Sequence, residues 1–102
     1  MNNIIKKLPK GTKVYWMDPQ RKFSDEYELT GYDEDRAVLE NENSQCTTDP
    51  NEIVTEDFLD GWVSNFPKVK RNLNWNNLDL KSKGRKYERY LIWINDNERV
   101  ED

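Results

Sequence analysis

The sequence predicts an all-β fold, and three observations carry that expectation. Short segments alternate large apolar and polar residues with a period of two, as in "KVYWM", "EYELTGY" and "RAVLE". Clusters of Gly, Pro, Asn and Asp separate them at short intervals, which marks tight turns between strands. The apolar weight sits in a few large rings: only 34% of the 102 residues are hydrophobic and 35% are charged, but four are Trp, five Tyr and three Phe. So charged a composition would otherwise point to disorder. Rings of this size supply a small core from few positions.

The first strand spans 12–17, just after Gly11, with Val14 and Trp16 on one face and Tyr15 and Met17 on the other. Trp16 is assigned to the core, so Tyr15 needs a second packing layer or a partner. Asp18-Pro19 opens a long aperiodic excursion, "DPQRKFSDE". The second strand, "EYELTGY", carries Tyr27 and Leu29 on one face, and Gly31 in line with them marks a bend or bulge. "DED" turns the chain, "RAVLE" returns with Ala37 and Leu39 inward, and "NENS" turns it again.

From Asp49 the signals divide. Asp49 as N-cap, Pro50 at the first helical position, Glu52 and a closing Gly61 spell a helix of about ten residues. The favoured alternative is a single helical turn followed by a closing strand over 53–55. In the C-terminal third, "RNLNWNNLDLKS" reads as a hairpin turning on Asn76-Asn77. That register sets Trp75 opposite Leu78 and Leu73 opposite Leu80, all four on one face. "KSKGRK" is a further turn, and "YERYLIWI" reads as a central strand, with a helix through Tyr87, Tyr90, Leu91 and Ile94 as the alternative. Leu73, Trp75, Leu78, Leu80 and Trp93 are expected in the core, and "NDNERVED" is a polar tail.

Short strands, a long first loop, tight later turns and one short helical turn before closure describe a small SH3-like barrel. It occupies residues 1–60, and a C-terminal β-meander over 61–102 packs on it as part of one structural unit. "LPKGTKVYWMDP", then Ser24 and Tyr27, then Cys46 and "NEIVTEDF" resemble small SH3-like β-barrel proteins of Bacteroidales genomes, phages and mobile elements. The resemblance covers about residues 8–60. It rests on Lys10, Gly11, Thr12, Val14, Trp16, Asp18, Pro19, Ser24, Tyr27, Cys46 and Glu52. It implies the barrel and a bacterial or phage origin, and brings no activity. The chain departs from it where "PQRKFSDE" replaces a Gly-rich stretch and in the added C-terminal third.

Composition narrows the chemistry. With no histidine, His-ligated zinc and the Ser-His or Cys-His nucleophile arrangements are absent. Cys46 is the single cysteine, so no internal disulfide forms and a reducing, cytoplasmic setting is expected. No stretch approaches a membrane span or a signal peptide. Gly11, Gly31, Gly61 and Gly84 do not cluster into a phosphate loop. These observations imply a non-enzymatic protein with no cofactor, no catalytic residues and no metal site.

Charge supplies the positive signal. Residues 18–60 hold three basic and fourteen acidic residues, a net −11, whereas residues 66–90 hold eight basic and two acidic, a net +6. The expected function is therefore a protein-binding module of phage or mobile-element type that acts through a charged surface. The partner is a protein, a basic host protein being the natural candidate. Tyr15, Tyr32, Asp33, Glu34 and Asp35 are the expected partner-binding residues, and Tyr15, Tyr27 and Tyr32 suggest a methyl-lysine cage as a lesser reading. The acidic segment also reads as a mimic of nucleic-acid phosphates. The main alternative is nucleic-acid binding by Lys68, Lys70, Arg71, Lys81, Lys83, Arg85, Lys86 and Arg89, interleaved with Trp75, Tyr87 and Tyr90. A virion accessory role is a further alternative. Head-to-tail homo-oligomers are electrostatically allowed.

Overall fold

The computed structural model describes residues 7–98, with side chains described as far as Ile92. Its antiparallel sheet is built from β1 (Lys13–Trp16), β2 (Asp25–Asp33), β3 (Arg36–Glu40), β4 (Gln45–Thr48) and β5 (Ile53–Thr55), in the order β4-β3-β2-β1-β5. The helices α1 (Glu56–Val63), α2 (Pro67–Asn72) and α3 (Leu80–Glu98) follow. The all-β expectation is overturned: the fold is α+β, and the sheet is not closed into a barrel. β4 and β5 are its edges.

β1, β2 and β3 lie where the alternating segments placed them, whereas β4 is a strand that the sequence did not lead us to expect. The register of β2 on β3 shifts between Leu29 and Gly31, at the glycine read as a bulge. Glu34, at φ +55°, turns the β2–β3 hairpin. Both readings of residues 49–61 hold a part of the truth. A 3-10 turn over Pro50–Glu52 sits under Asp49, whose Oδ1 accepts from the Asn51 N–H at 2.9 Å, and β5 follows at once. A separate helix then starts. Thr55 Oγ1 caps α1 by accepting from the Phe58 N–H at 3.2 Å, and Glu56 and Asp57 occupy its positive first turn. Gly61 does not end that helix, which runs on to Val63.

The C-terminal meander is corrected outright. Residues read as a hairpin form α2, a 3-10 turn over Trp75–Asn77 and the start of α3. Residues read as a turn and a central strand form one long helix. Asp79 Oδ1 accepts from the Ser82 N–H at 2.9 Å at its start, the role of an N-cap. The physical reason lies in what faces inward. Leu80, Lys83, Gly84, Tyr87 and Glu88 recur at helical spacing and meet the rest of the molecule along one stripe. Tertiary packing of that stripe overrides the β preference of the aromatic run.

Two cores result, one on each face of the sheet. Val14, Tyr27, Leu29, Ala37 and Leu39 are buried on one face with Trp16, Tyr32 and Ile53 packed around them. Tyr15 and Val54 point the other way and are buried with Leu59 and Val63 of α1, Trp75 and Leu80. Leu73 and Leu78 pack against this second core, as expected of them; the Trp93 side chain lies outside the described residues. The second face of β1 is thus covered by helices.

Gly84 shows how close that cover lies. A Cβ at Gly84 would overlap the ring atoms of Tyr15. The glycine read as a turn signal is instead the point where helix backbone rests on an aromatic face.

Candidate functional site

Tyr15, expected from sequence at the partner surface, is fully buried. Its hydroxyl donates to Glu88 Oε1 at 2.9 Å, and the Ser24 hydroxyl donates to Glu88 Oε2 at 2.8 Å. Burial and the Glu88 carboxylate push the Tyr15 phenol far above its usual range, so it stays protonated. Tyr32 is half-buried: its hydroxyl accepts from the Leu8 N–H at 3.0 Å, and Lys7 Nζ lies 5.3 Å from its ring centre. Tyr27 is buried too, so the three tyrosines form no open cage. Asp33, Glu34 and Asp35 are exposed together at the tip of the β2–β3 hairpin.

The eight basic residues of the alternative surface are divided. Lys83 is buried between α1 and α3, with its ammonium 2.9 Å from both Glu56 Oε2 and Asp60 Oδ1 and 5.6 Å from the Trp75 ring centre. Trp75 Nε1 donates to the same Asp60 oxygen at 2.8 Å. Burial alone would lower the Lys83 pKa, but the two carboxylates outweigh it and hold it above the usual range. Lys83 therefore cannot reach a phosphate. Lys81 is tied to Asp25 at 3.2 Å. Lys68, Arg71, Arg85 and Arg89 remain exposed, and Lys70 and Lys86 are half-buried.

On the outer sheet face the helices pack against β1 and β5, and α3 also reaches β2, where Lys81 meets Asp25. On the rest of that face Glu26 and Glu28 alternate with buried Tyr27 and Leu29, so both project outward. They join Asp25, Glu40 and Glu42 in lining an open groove of about 500 Å³ between the start of β2 and the β3–β4 turn. Lys13 and Lys81 stand at its margins, Lys13 with its ammonium 4.0 Å from Glu28. Glu28 and Glu40 are directly opposed in the β2–β3 register. Like charges so placed destabilise a sheet.

None of these five carboxylates was singled out from sequence, although the signal was there: two acids two residues apart, alternating with core residues, in a strand that pairs with a third. The hairpin tip drew attention because its acids are consecutive. Consecutive acids in a turn do not share a face; alternating acids in a strand do.

Among the described residues no three His, Cys, Asp or Glu side chains are arranged to hold a metal ion. Burial, with a smaller contribution from Asp18, raises the Cys46 thiol above its usual range, which keeps it in the poorly nucleophilic form. No helix among the described residues is long and apolar enough to cross a membrane. Comparison of the chain with family models, with curated proteins and with solved structures finds no match.

Proposed function

We propose that this is a non-enzymatic, cytoplasmic protein-binding module, an accessory protein of phage or mobile-element type, whose acidic groove receives a basic segment of a partner protein. The observation that carries the reading is the opposition of Glu28 and Glu40 across adjacent strands, inside a groove of five carboxylates and two lysines. Lys13 faces Glu28 across β1 and β2 and relieves part of that repulsion, but Glu40 faces only Glu28 and Gln45 in the register, so no opposite charge is set against it there. Lysine or arginine side chains of a partner relieve the repulsion and gain charge-assisted hydrogen bonds. The acids of the hairpin tip add a long-range field that steers a basic partner.

The test is a pull-down from bacterial lysate with the intact protein, with and without nuclease. Recovery of one basic protein that survives nuclease, and is lost from the Glu28→Lys/Glu40→Lys variant, is the expected result. Recovery of nucleic acid alone overturns it. That outcome would favour the second reading, nucleic-acid binding by Lys68, Arg71, Arg85 and Arg89, which the exposure of these four side chains leaves available.

A further inference from the structure

We propose that the loop of residues 19–23 is a rigid docking finger, and that its Phe23 ring enters an apolar pocket rimmed by carboxylates on a protein partner. This goes beyond the acidic groove and does not depend on it. The loop is held far more tightly than its exposure requires. Asp18 is buried at its base, and its carboxylate accepts from the backbone N–H groups of Gln20 at 3.0 Å, Lys22 at 3.1 Å and Phe23 at 2.9 Å. The Arg21 N–H donates to the Asp18 carbonyl at 2.8 Å, with Arg21 in the left-handed region at φ +62°.

At the far end Tyr27 Oη donates to the Phe23 carbonyl at 3.0 Å. Ser24 Oγ accepts from the Asp18 N–H at 2.9 Å and is itself bound to Glu88 of α3. Both backbone polar groups of Phe23 are engaged, yet the residue is 64% exposed, the most of any large apolar residue described. A loop built only to connect β1 and β2 gains nothing by holding an aromatic ring in water. A recognition loop gains affinity, because its ordering entropy is spent on folding and not on binding. Aromatic anchors of this kind dominate the energetics of protein interfaces.

The charges beside the ring select the partner's chemistry. Arg21 and Lys22, which precede Phe23 in the chain, are both exposed, and neither makes an ion pair among the described residues. They match an acidic rim around an apolar pocket.

The test places the photo-cross-linking residue p-benzoylphenylalanine at position 23 of the full chain, in the cells that express it, with position 58 as a control for exposure. The expected result is one protein adduct from position 23 and not from position 58, mapping to a peptide with apolar residues beside Asp or Glu. Its yield falls at least about tenfold in the Arg21→Glu/Lys22→Glu variant and is retained in the Glu28→Lys/Glu40→Lys variant, which separates this proposal from the groove. Asp18→Asn also lowers the yield while the thermal unfolding transition remains cooperative. An adduct on nucleic acid, on a lysine- or arginine-rich peptide, on the same proteins as position 58, or on nothing at all overturns the proposal.

Discussion

The contact of Gly84 with Tyr15 makes a prediction whose sign runs against helix propensity. In an exposed helix Gly→Ala stabilises by about 1 kcal/mol. Here the added methyl meets the Tyr15 ring, so Gly84→Ala lowers stability by ~1–3 kcal/mol as overpacking does, read as a lower urea midpoint. The Lys83 cluster predicts an ordering. Lys83→Met leaves Glu56 and Asp60 in water at the rim and costs little, whereas Glu56→Ala/Asp60→Ala strands a buried ammonium and costs more. The Asp18 carboxyl sets the acid limit. Burial pushes its pKa up, but the Gln20, Phe23 and Lys22 N–H groups outweigh burial and hold it below the usual 3.8. A carboxyl whose folded pKa is depressed binds fewer protons folded than unfolded, so its contribution is complete above the unfolded value and is lost as pH falls through the folded one. Stability measured by urea unfolding should therefore decline below about pH 4, and less steeply in Asp18→Asn.

At the scale of elements, α1 and α3 form a layer that the sheet requires. Without α3 the rings and aliphatic groups of Tyr15, Val54, Leu59 and Val63 face water, so a chain ending at Asn65 should lose its cooperative thermal transition. Trp75→Ala in the full chain should cost ~3–5 kcal/mol, with Trp75→Phe intermediate because it forfeits the bond to Asp60 but keeps most of the packing. The strands were legible because alternation in "KVYWM" and "RAVLE" coincides with one buried face. The helices were not. Leu73, Trp75, Leu78 and Leu80 satisfy a hairpin's alternation about Asn76-Asn77 as well as they satisfy a helix–turn–helix. Gly84, the one residue that seemed to break α3, is there because of Tyr15, sixty-nine positions away in sequence. No local window contains that reason. The same holds for the site: Glu26, Glu28 and Glu40 become one surface only when β2 and β3 pair.

The whole molecule keeps its charge separated even after folding. Lys81 and Lys83 are drawn into ion pairs with Asp25, Glu56 and Asp60, which joins the basic helix to the acidic half and removes two cations from the basic surface. What is left is an acidic groove beside the helices and an exposed basic set on α2 and α3. In the function proposed above, the groove is the working surface. Its most direct measurement is backbone amide chemical shifts of the isotope-labelled protein, titrated at low salt with a lysine- and arginine-rich peptide and, separately, with a single-stranded DNA oligonucleotide. The account predicts that the peptide moves Glu26, Glu28, Glu40 and Asn41, and that the DNA moves no amide. Shifts produced by DNA at Lys68, Arg71, Arg85 and Arg89, with the groove unmoved by the peptide, would contradict it.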